Sequence, residues 1–148
     1  MVETKYRLDN TEELHKELKR QYLLGKLQEF SRWTFSNYVS IEAKAIEFGG
    51  DDYELEINGQ KIYINKWKKW ILRRLIANLW QEYMENNRVH SSIDIDDYIT
   101  IYVKLDNETI DSLTIYEELM CCIIIRLPPK TDMNRFLNLL NKYFEIFE

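Results

Sequence analysis

The sequence predicts a single α+β domain, residues 1–148, in which an antiparallel sheet packs against helices. Three observations predict it. A hairpin signature, Tyr53–Ile57 and Gln60–Ile64 around Asn58-Gly59, opens the strand-rich part of the chain. Strand patterns recur between 98 and 127, and long helical periodicities cover about 67–86 and 131–147. Hydrophobic residues make up 45% of the 148 and charged residues 30%, which suits one packed core and argues against extended disorder.

The first 47 residues read as helical. Residues 1–9 form an extended lead-in, and Asn10 with Glu13 three positions on makes a capping-box pattern. Leu14, Leu18, Leu24, Leu27 and Phe30 then recur at helical spacing over about 11–32. A second helical stretch is expected over about 35–47, giving an N-terminal helical segment 11–47 that Gly49-Gly50 ends.

The hairpin has the strongest local logic. Asn-Gly supplies the two left-handed positions of a type I′ turn. In that register Leu55 faces Ile62, Tyr53 faces Ile64, and Glu56 faces Lys61 as an opposite-charge pair. The helix after it is apolar on more than one face (Trp67, Trp70, Ile71, Leu72, Leu75, Ile76, Leu79, Trp80), as a central helix must be. Residues 87–97 read as a polar connection. Ile99, Ile101, Val103 and Leu105 alternate with polar residues as in a half-buried strand. Residues 109–120 fit either strand or short helix, and Cys121–Leu127 is a central strand stopped by Pro128-Pro129. Thr131 or Asp132 caps the last helix, whose apolar stripe includes Met133, Phe136, Leu137, Leu140 and Phe144.

Net charge is −5, which argues against a general nucleic-acid binder but permits a local basic patch. Residues 1–20 lack the apolar core of a secretory signal, and the apolar run 119–125 is too short to cross a bilayer. Two adjacent cysteines, Cys121 and Cys122, make no disulfide framework. A cytoplasmic, reducing location is therefore expected, with no membrane partner.

Charge is unevenly placed. Lys61, Lys66, Lys68, Lys69, Arg73 and Arg74 fall in one stretch without an acid, interleaved with Trp67 and Trp70, and acidic stretches lie on both sides. Lysines in the first turn of a helix oppose its dipole. Free N–H groups there with added lysines favour an anion, and tryptophans nearby can stack on bases. The competing reading is that these cations extend from a buried helix and pair with the chain's own carboxylates.

Three acidic elements are weaker candidates. Gly49-Gly50-Asp51-Asp52 resembles, in four residues only, the strand turn that presents metal-binding aspartates in palm-type polymerases and cyclases. A glycine helix stop followed by a strand is the favoured explanation. Asp94 and Asp96 share one side of a strand, without the glycine or glutamate of a calcium loop. Glu42-Ala43-Lys44 echoes an acid-x-lysine nuclease element but reads as helix surface. His15 and His90 have no zinc-like companions.

The reading that follows is a non-enzymatic macromolecule-binding protein, with no cofactor. It would meet nucleic acid, a nucleoprotein or an acidic protein surface through the basic, tryptophan-bearing helix start. The alternatives are a protein-only inhibitor or immunity-type module acting through acidic and aromatic surfaces, and a metal-dependent phosphoryl-transfer enzyme on Asp51 and Asp52. Ten tyrosines and four tryptophans leave apolar surface to spare, so a protein partner or a homo-oligomer is also expected.

Overall fold

The computed structural model describes residues 2–49 and 52–147, with side chains described over 11–46 and 52–143. The elements are α1 (Val2–Thr34), β1 (Val39–Gly49), β2 (Asp52–Ile57), β3 (Gln60–Ile64), α2 (Lys66–Asn86), β4 (Ser91–Ile95), β5 (Ile99–Leu105), β6 (Glu108–Glu118), β7 (Cys122–Leu127) and α3 (Met133–Phe147). Seven strands form one sheet in the order β3-β2-β1-β7-β6-β5-β4, with every neighbouring pair antiparallel. The chain is thus α+β, with its sheet packed against helices, as expected.

The 53–64 hairpin has the expected register, Tyr53 to Ile64, Leu55 to Ile62 and Glu56 to Lys61. Asn58 at φ 50° and Gly59 at φ 82° supply the left-handed turn. The ammonium of Lys61 pairs diagonally with Glu54 at 4.0 Å, however, and not with Glu56 directly opposite.

Four expectations are corrected. The helical segment 11–47 is a single helix to Thr34 followed by a strand: residues 39–49 are β1, at the sheet centre between β2 and β7. Its residues alternate, with Ile41 and Ala43 buried and Ser40, Glu42 and Lys44 exposed. Helix α1 runs from Val2 through Asn10, so 2–9 is helix and no extended lead-in, and Asn10 lies inside the helix and not at its start. Residues 2–24 contain neither glycine nor proline to stop it. The polar connection 87–97 contains the edge strand β4, paired with β5. Gly49 pairs with Asp52 at the facing ends of β1 and β2, so Gly49 belongs to a strand and stops no helix, and Gly50 and Asp51 lie outside the described residues. Residues 109–120, ambiguous in sequence, are mostly strand β6.

Strand β3 lies at one edge of the sheet and β4 at the other, so α2 must traverse the whole sheet between them. It therefore buries a wide face: Ile71, Leu72, Leu75, Ile76, Ala77, Trp80 and Met84. Asn65 starts it, its side chain accepting from the Lys68 amide at 2.8 Å. Trp80 is fully buried and donates from Nε1 to the Arg126 carbonyl at 2.6 Å. Phe35 meets its ring edge-on at 6.1 Å, and Phe30 of α1 stacks on Tyr83 at 6.0 Å. The last helix is capped by Asp132, which accepts from the Asn134 amide at 2.9 Å, and it buries Phe136, Leu137 and Leu140. Among the described residues, no helix is long and apolar enough to cross a membrane.

Burial separates the tryptophans into two classes. Trp80→Ala is expected to lower the unfolding free energy by about 3–5 kcal/mol, since it empties a packed site. Trp67→Ala, at a residue 51% exposed, is expected to change it by under about 1 kcal/mol. Urea denaturation of both variants checks this, and equal losses would contradict the packing described.

Candidate functional site

The basic stretch read from the sequence divides into three places. Lys61 is exposed on β3 and pairs with Glu54 within the hairpin, away from the cations of α2. Helix geometry divides those that remain, because residues about 100° apart per step fall on different strips. Trp67, Trp70 and Arg74 lie on the solvent strip of α2, whereas Lys69 and Arg73 turn inward over the sheet.

The inward strip is an internal polar network. Lys69 Nζ lies 2.6 Å from Glu118 Oε1, and the Tyr116 hydroxyl donates to the same oxygen at 2.8 Å. The Arg73 guanidinium sits over the Tyr116 ring, 5.3 Å from its centroid, and donates from Nη2 to the Asp96 carbonyl. A neighbouring ion pair, Arg126 to Glu117 at 3.5 Å, holds the next carboxylate. Lys69, Arg73, Tyr98, Glu117 and Glu118 help line a cavity of about 330 Å³. Two buried atoms of this region lack a hydrogen-bond partner, Tyr53 Oη and Arg73 Nε. Burial pushes the Tyr53 phenol up to about 12 and drives Tyr116 far above the ordinary phenol range.

Lys69 is therefore neutralised by a carboxylate of the same molecule, which is the competing reading weighed for this stretch. Asn65 occupies one of the free N–H groups at the helix start, so the end is partly satisfied without a ligand.

The outward strip is different. Trp67 and Trp70 are each 51% exposed and stack on one another at 5.3 Å, 15° from parallel. Arg74 lies over the Trp70 ring at 5.8 Å. Trp70, Ile71, Arg74, Leu75, Asn78 and Tyr143 line a groove of about 410 Å³ between α2 and α3. Lys66 is exposed as the first residue of α2. Sequence periodicity pointed to the helix but not to the groove, because Tyr143 comes from a helix remote in sequence.

The described acidic candidates are not gathered into a metal centre. Asp51 lies outside the described residues, and Asp52 accepts a 2.6 Å hydrogen bond from the Tyr63 hydroxyl. Asp94 and Asp96 are exposed near the β4 edge. Glu42 and Lys44 stand exposed on β1, a strand and not the helix surface expected. Among the described residues, no group of three or more His, Cys, Asp or Glu is placed to hold a metal ion. Cys121 is exposed and Cys122 buried, and burial pushes the Cys122 thiol above its ordinary value, away from the reactive thiolate. No protein-family model, curated protein or solved structure matches the chain.

The buried phenols set an alkaline limit. The folded pKa of Tyr53 exceeds its unfolded value of 10.0, so the folded state holds more protons between about pH 10 and 12. The associated stability is complete below pH 10 and is lost as pH rises through 12, with Tyr116 adding to the loss. Denaturation midpoints across pH 9–12 check this. Tyr53→Phe removes an unsatisfied hydroxyl and is expected to be neutral or stabilising. Tyr116→Phe breaks the bond to Glu118 and is expected to cost about 1–3 kcal/mol.

Proposed function

We propose that this chain is a non-enzymatic binding protein whose working surface is the outward strip of α2 (Trp67, Trp70 and Arg74), with Lys66 at the helix start and the adjoining α2–α3 groove. The observation that carries the reading is the half-exposed Trp67–Trp70 stack with Arg74 over one ring. Large aromatic and arginine side chains are the residues that dominate interface energetics. Indole surface in water gains on being covered, at about 25 cal/mol per Å².

The partner class follows from the neighbours of the stack. The groove below it is lined by Ile71, Leu75 and Tyr143 and suits an apolar side chain, while Arg74 in its wall and the exposed Lys66 at the helix start suit carboxylates. An acidic protein surface carrying an apolar anchor meets both conditions. A nucleic-acid backbone would use the cations alone and leave the groove empty. The net charge of −5 also disfavours close approach of a polyanion outside this patch.

The test is capture of partners from host extract by the wild-type chain and by Trp67→Ala/Trp70→Ala/Arg74→Glu, each with and without nuclease. The reading expects a protein retained through nuclease treatment whose affinity falls at least about a hundredfold in the triple variant, as loss of two or more hot-spot contacts implies. Material lost on nuclease treatment would assign the strip to nucleic acid. Equal retention by both chains would remove the strip from the function altogether.

A further inference from the structure

Helix α1 carries an apolar stripe that the body of the protein does not cover. Leu14, Leu18 and Tyr22 are 57%, 55% and 65% exposed. At about 100° per residue they fall, with Gly25, within a sector of about 80°. Leu27, Ser31 and Thr34, which face the body, lie on the opposite side. Arg20 fixes the helix to the β5–β6 turn through Glu108 at 2.7 Å and Asp106 at 3.8 Å, again from the body side. Residues 11–19 are all exposed. An isolated helix of that length with leucines in water is marginal on its own.

We infer that this stripe pairs antiparallel with the same stripe of a second copy of the chain, about a twofold axis beside Leu18. The pattern is self-complementary in that arrangement and needs no other partner. Leu18 meets Leu18, and Leu14 meets Tyr22 in both directions. Gly25 has open space where a Cβ would stand, which allows the second helix to approach closely there. Charge agrees with the same register. Glu12 and Lys26 lie on one flank of the stripe, and antiparallel pairing brings like flanks together, so Glu12 of each copy reaches Lys26 of the other. The Lys26 ammonium already lies over the Tyr22 ring at 5.8 Å, at the edge of the stripe. On the other flank Gln21 donates to Glu17 at 3.2 Å, which steers that carboxylate along its own helix, where it stands near its image across the axis. Such a contact is isologous and closes at two copies. Because only the C-terminal half of α1 rests on the body, the two bodies sit at opposite ends of the pair.

Sedimentation velocity of the full chain across a dilution series tests the inference. Wild type is expected at twice the 18.0 kDa chain mass. Leu18→Glu is expected at half that value, with helix content and the melting of the body unchanged, since Leu18 touches no core residue. Glu12→Lys is expected to weaken the dimer, and Glu12→Lys with Lys26→Glu to restore it. A monomeric wild type, or a dimer that survives Leu18→Glu, would overturn the inference. Failure of the double charge exchange to restore what Glu12→Lys removes would overturn the antiparallel register.

Discussion

One topological constraint governs the molecule: α2 has to carry the chain from one edge of a seven-stranded sheet to the other. A helix that traverses a sheet turns apolar residues toward it along its whole length, and its 21 residues span about 32 Å at 1.5 Å each. No stripe of that kind can be narrow. Along its first two turns the inward side also includes Lys69 and Arg73, and these cations meet the sheet where an apolar side chain would otherwise pack. Burying a charge without a partner costs several kcal/mol. The sheet supplies Glu118 for Lys69 and the Tyr116 ring and the Asp96 carbonyl for Arg73.

The same crossing separates structure from surface on one helix. Cations on the inner strip are engaged within the protein, Lys69 by the Glu118 carboxylate and Arg73 by the Tyr116 ring and a backbone carbonyl. Trp67, Trp70 and Arg74, a fraction of a turn away, have no sheet beneath them and meet water, each indole half exposed. A contiguous basic stretch in sequence is thus two surfaces with different roles. Trp80, about 2.8 turns beyond Trp70, is wholly internal and holds the Arg126 carbonyl.

Much of this was legible in the sequence where local and tertiary preferences agree. The Asn58-Gly59 hairpin, α2 and the Asp132-capped α3 all have turn, cap and periodicity pointing one way. β1 was not, although Val39, Ile41, Ala43 and Ala45 alternate with Ser40, Glu42 and Lys44. Alanine, glutamate and lysine favour helix locally, and only pairing with β2 and β7 on both sides reverses that preference. β6 was ambiguous for another reason. Register shifts opposite Ile99/Thr100 and Val103/Lys104 break its alternation, so neither period survives along its length. At the candidate site the residue types were visible but their directions were not. Lys61 belongs to a different element, Glu118 lies 49 positions beyond Lys69, and Tyr143 joins the groove only through the packing of α3 on α2.

The division of α2 into an inner structural strip and an outer accessible one is measured most directly by amine acylation of the native chain followed by peptide mapping. Lys61 and Lys66 should react at the rates of open lysines and Lys69 far more slowly, and Glu118→Gln should bring Lys69 close to the rate of Lys66. Equal reactivity of Lys66 and Lys69 in the unmodified sequence would contradict the inward placement on which the two-surface account rests.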